Sequence, residues 1–77
     1  MTRRPPLTRD LTASLAFRLA VVERVVAHLP SDAGNALIVA RARQFARELL
    51  ATFAQPDPDT MLELQKAVMT VVEEEMR

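Results

Sequence analysis

Residues 11–29 read LTASLAFRLAVVERVVAHL, and the spacing of their apolar side chains decides how the chain folds. Leu11, Leu15, Leu19, Val22, Val26 and Leu29 follow at intervals of 4, 4, 3, 4 and 3, which is a heptad-like helical seam and not the alternation of a strand. At about 100° per residue, Phe17, Val21 and Val25 make a second apolar ridge beside that seam. Glu23, Arg24 and the strip Ala16, Ala20 and Ala27 complete the circumference. The seam is the expected core contact, and the ridge is surplus to what one neighbouring helix covers.

The punctuation on either side of this stretch sets the other elements. Pro5-Pro6 marks residues 1–7 as an extended basic arm, and residues 29–35, with Pro30, Ser31, Asp32 and Gly34, read as a turn. Residues 55–59, with Pro56 and Pro58, read as a second turn. One Gly in 77 residues leaves little room for hairpins. The chain is therefore expected to be all-α, a single domain over 8–77 with helices at about 9–29, 32–54 and 58–76. Thr8 or Asp10 is the expected cap of the first helix and Ser31 or Asp32 that of the second. Asp57 before Pro58 is the strongest start signal, with Thr60-x-x-Glu63 a competing capping box. The second helix should bury Ile38, Val39, Ala42, Phe45, Ala46, Leu49 and Phe53, and the third Met61, Leu64, Val68, Val71 and Val72. Short turns between long helices make sequential helices antiparallel, so the simplest architecture is an up-down-up three-helix bundle.

Composition narrows the function classes. Ten Lys+Arg against ten Asp+Glu give a net charge of zero, which disfavours a general polyanion binder. With no Cys there is neither a disulfide nor a thiolate metal site, so a second chain is the remaining way to reinforce so small a core. Charge is uneven along the chain: residues 1–28 hold five arginines against two acids, and residues 56–77 hold two bases against six acids. The two ends can therefore attract one another within one chain or between subunits. The stretch Leu11–Val22 is broken by Arg18 and is too short for a membrane span or an export signal, and Thr2-Arg3-Arg4 runs into Pro5-Pro6 where a leader needs an apolar run. The expected location is cytoplasmic. Nine arginines to one lysine, with abundant alanine, suit a GC-rich bacterial genome.

Catalytic residues, cofactors and metals are all expected to be none. His28, the only histidine, falls in the last turn of the first helix just before Leu29-Pro30 and reads as a capping or surface residue. Glu73, Glu74 and Glu75 point about 100° apart on a helix and cannot converge on one ion, and they read first as a frayed tail, the alternative being an acidic surface for a basic partner. Asp57 and Asp59 lack the further oxygen ligands of a calcium loop.

Interaction surfaces remain. Phe17, Val21 and Val25 on the first helix and the column Leu62, Met69 and Met76 on the third would leave a few hundred Å² of apolar surface exposed in a closed monomer. At about 25 cal/mol per Å², covering it contributes several kcal/mol. These residues are the expected interface of a small non-enzymatic protein-binding module, an adaptor, chaperone or stoichiometric inhibitor, either homodimeric or bound to a larger protein. The alternative is a small dimeric DNA-binding regulator of phage or plasmid type, contacting phosphates through Arg43 and Arg47 of the second helix and Arg3, Arg4 and Arg9 of the arm.

Overall fold

Ser14 interrupts the helix that the first seam predicts. In the computed structural model, which describes residues 7–77, Ser14 is extended (φ −83°, ψ 119°) and its hydroxyl accepts a hydrogen bond from the Phe17 amide at 3.3 Å. A serine that offers its side chain to the backbone in this way caps a new helix in place of continuing the old one. The segment accordingly divides into α1 (Leu7–Ala13) and α2 (Leu15–Arg24), followed by a 3₁₀ turn (Val26–His28). Leu29 is held extended (φ −85°, ψ 133°) by the steric demand of Pro30, which ends the segment. The arm expected over 1–7 lies outside the described residues except for Leu7, which opens α1.

α3 (Asn35–Leu50) starts three residues later than the predicted 32 because Ser31 and Asp32 fold into a turn, closed by the Ala33 amide on the Pro30 carbonyl at 3.0 Å. Neither caps the helix. Gly34 is its N-cap, and no side chain completes the cap. The helix closes before residue 54, where the Thr52 and Phe53 amides turn back to the Leu49 and Leu50 carbonyls at 3.0 Å. This early end carries Phe53 off the core stripe, and its side chain is exposed.

α4 (Pro58–Glu75) begins where the sequence places it. Asp57 accepts from the Thr60 amide and from the Thr60 hydroxyl, both at 2.8 Å, with Pro58 in the first helical position. These bonds favour the carboxylate, so the Asp57 pKa lies below its ordinary value of 3.8. A lowered folded-state pKa means that the cap's contribution is present above the unfolded value and lost as pH falls through the folded one. Asp57→Asn keeps a capping oxygen without the titration. The variant's urea midpoint is therefore expected to fall less than that of the wild type between about pH 5 and pH 2.

The core forms around α4, which packs against α1, α2 and α3. Leu64, Ala67, Val68, Val71 and Val72 of α4 are fully or almost fully buried. Ala67, Val68, Val71 and Val72 form one cluster with Ala42 and Phe45 of α3 and Phe17, Val21 and Val25 of the first segment. Ala42, Ala46 and Ala67 have no exposed surface, and such small side chains let α3 and α4 approach closely. The start of α3 lies beside the end of α4, since Asn35 and Ile38 share a hollow with Met69 to Arg77, so the two helices form an antiparallel hairpin. The protein is elongated, 46 × 21 × 19 Å, and every described helix keeps a face on solvent.

The opposite charges of the two ends meet inside one chain. The Arg18 guanidinium donates to the Thr12 carbonyl at 3.1 Å and to Glu74 Oε1 at 3.0 Å, and lies 3.7 Å from Glu75 Oε1. One side chain thus satisfies a free carbonyl at the end of α1 and ties the α1–α2 corner to the acidic end of α4. Glu74 and Glu75 are held in the last turn of α4 in place of the fraying expected from sequence. Arg18→Met is expected to cost about 1–2 kcal/mol, less than a buried pair because the partners are half exposed. Much of that difference should vanish in 1 M salt, measured by thermal unfolding at two ionic strengths.

Candidate interaction surfaces

Phe17, Val21 and Val25, expected to be a free ridge, are core residues: Phe17 is 8% exposed, and Val21 and Val25 not at all. The reason is the break at Ser14. Once the segment is divided, Leu11 reaches the core from α1, and Val26 and Leu29 reach it from beyond α2. The short α2 then turns its Phe17/Val21 side inward. The middle of the expected seam is left outside, with Leu15 70% and Leu19 54% exposed and Val22 half-buried. Leu15, Leu19 and Val22 occupy positions i, i+4 and i+7, within about 60° of one another on α2 and more than 100° from the buried direction. They form an apolar stripe on the outer face of a helix.

A second apolar strip runs along α4. Leu62 is 55% and Met76 44% exposed, as their spacing of seven suggests, whereas Met69 packs partly against the core. Lys66 and Glu73 are exposed on the same side of the helix, which lies opposite Leu64, Val68 and Val71. Next to the strip, between the start of α3 and the end of α4, is an open hollow of about 350 Å³ lined by Asn35, Ile38, Met69, Val72, Glu73, Met76 and Arg77.

The arginines lie elsewhere. Arg43 and Arg47 are exposed on one face of α3 and make no ion pair among the described residues, and Arg41 is exposed on another. Arg9 is exposed on α1, while Arg3 and Arg4 lie outside the described residues. Arg24 pairs with Glu48 at 3.0 Å and links α2 to α3 at the surface. His28 is exposed in the 3₁₀ turn. Among the described residues no polar or charged side chain is buried, and no three of His, Cys, Asp or Glu gather as a metal site. No described helix is long and apolar enough to cross a membrane. Compared with known proteins, the chain matches no family model, no curated sequence and no solved structure.

Sequence reasoning missed Leu15 and Leu19 as surface residues. Ser14 was the available signal, since a serine ahead of Leu15-Ala16-Phe17 is a helix start as readily as a mid-helix residue.

Proposed function

We propose that this chain is a small non-enzymatic protein-binding module, acting as an adaptor, chaperone or stoichiometric inhibitor through apolar helix faces. The observation that carries this reading is the pair of outward leucines on α2, Leu15 at 70% and Leu19 at 54% exposure. Fully burying an exposed leucine contributes about 1.5–3 kcal/mol, so a partner groove covering the exposed parts of both gains on the order of 2–4 kcal/mol before the costs of association. An amphipathic helix presenting apolar residues at i, i+4 and i+7 is the form in which helices enter such grooves. A second chain completing the three-helix arrangement expected from sequence belongs to the same reading.

The test is capture of a target from a lysate of the source organism by the immobilised chain, identified by mass spectrometry and repeated with Leu15→Glu/Leu19→Glu. Both positions are exposed, so the variant should keep its helical circular dichroism and lose the captured protein. Capture that survives the double substitution, or no specific capture by the wild type, contradicts the reading.

A DNA-binding regulator is the second reading, favoured by the exposed Arg43 and Arg47 on one face of α3, which make no ion pair among the described residues. Zero net charge weighs against it. It requires salt-dependent binding to duplex DNA that Arg43→Ala/Arg47→Ala abolishes, and no binding at low salt removes it.

A further inference from the structure

From the outer face of α4 we infer that this protein pairs with a second copy of itself, α4 against α4 and antiparallel, each copy seating its Leu62 in the hollow beside Met76 of the other. The inference rests on the protein-binding reading and names one partner for a face that the α2 leucines do not occupy.

Leu62, Lys66, Met69, Glu73 and Met76 follow at intervals of 4, 3, 4 and 3 and lie within about 80° on the helix, so they make one continuous strip about 21 Å long. The strip alternates apolar and charged residues, and its two charges have opposite sign. A two-fold axis running between the two α4 helices, level with Met69 and Thr70, sets Lys66 of each copy opposite Glu73 of the other. A parallel pairing in register would instead oppose Lys66 to Lys66 and Glu73 to Glu73. Charge complementarity therefore selects both the orientation and the register. Lys66 and Glu73 are two helical turns apart and cannot reach each other within one chain, and Glu73 makes no ion pair among the described residues.

The same register fits in shape. It sets the 55%-exposed Leu62 of one copy against the Glu73–Arg77 turn of the other. That turn forms one wall of the hollow of about 350 Å³, whose apolar lining comes from Ile38, Met69, Val72 and Met76. The hollow is open to solvent and is also bordered by Asn35, Glu73 and Arg77; its volume exceeds that of a leucine side chain, and the flexible methionines can close around one. Symmetry makes the contact twice. Zero net charge removes long-range repulsion between copies. A strip of this length falls in the small class of interfaces, so the pairing is reversible and concentration-dependent.

Sedimentation velocity over a concentration series tests this on the intact chain, with circular dichroism confirming the fold of each variant. The wild type is expected to pass from monomer to dimer. Lys66→Glu alone and Glu73→Lys alone each place like charges opposite one another at two symmetric positions and should weaken the dimer about 5- to 30-fold. Lys66→Glu/Glu73→Lys restores opposite charges and should return the dimer to within about 3-fold of the wild type. Leu62→Glu should leave a monomer. A wild type that stays monomeric throughout overturns the self-pairing and leaves the α2 reading to its own capture test. A dimer indifferent to Leu62→Glu, or one that the double reversal does not rescue, overturns this face and register.

Discussion

Phe17→Ala is expected to remove about 3–5 kcal/mol of stability, whereas Leu15→Ala, two residues earlier in the same helix, should change it by less than about 0.5 kcal/mol. Phe17 is 8% exposed and packs in one cluster with Val21, Val25, Phe45 and the valines of α4. Truncating it loses the transfer free energy of the ring and leaves a void where α2 meets the rest of the core. For 77 residues the whole stability is on the order of 4–12 kcal/mol, so the substitution removes a large share of it. Leu15, 70% exposed, has little native contact to lose. Urea unfolding of the two variants under identical conditions measures the difference. Comparable losses at the two positions would mean that the first segment is turned the other way.

Val68→Asp is expected to abolish the fold altogether. Val68 has no exposed surface, and α4 is the helix against which all the others pack. A carboxylate there has no described polar side chain buried nearby to pair with, and removing an unpaired charge from water costs several kcal/mol even after relaxation. That loss is comparable with the entire stability of so small a domain. Val68→Ala removes only methyl groups and should cost about 2 kcal/mol, leaving a folded protein. Far-ultraviolet circular dichroism at physiological temperature distinguishes the two. A helical, cooperatively unfolding Val68→Asp would show that α4 is not the centre of the core.

The helical class and the start of α4 are legible in the sequence because their signals are local. Asp57-Pro58 fixes the start through one hydrogen-bonding side chain and one ring-locked φ, and the 3.6-residue period finds Leu64, Val68, Val71 and Val72, though Met61 is only partly buried and the buried Ala67 lies outside the expected set. The column at 62, 69 and 76 was equally readable, and its two ends are exposed. The first segment was not readable by the same means. Two apolar rows run along it, and the longer one is an unbroken seam only if the helix is unbroken. Ser14 and the Val25–Leu29 region divide the segment into pieces that reach the core separately, so the row that faces inward is the one carried by α2 alone. Periodicity measures how far apart the rows lie on a wheel but not which row turns inward, because that depends on which helix lies alongside. The Arg18 contacts were visible only as a charge imbalance between the two ends, and it takes the fold to turn that imbalance into hydrogen bonds with Thr12 and Glu74. Ser31 and Asp32 look like caps, yet the turn after Pro30 uses them before α3 begins.

The orientation of α2 carries both the core assignment and the outward leucines, and thiol labelling measures it directly because the chain has no native cysteine. Leu19→Cys and Val21→Cys are compared for their rate of reaction with a thiol reagent under native conditions. The thiol at position 19 should react at nearly the rate of the unfolded chain, and the one at position 21 at least about 100-fold more slowly, since it is reached only through opening of the fold. Equal rates, or protection at 19 with free reaction at 21, would contradict the inward turn of Phe17 and Val21 and with it the apolar face offered by Leu15 and Leu19.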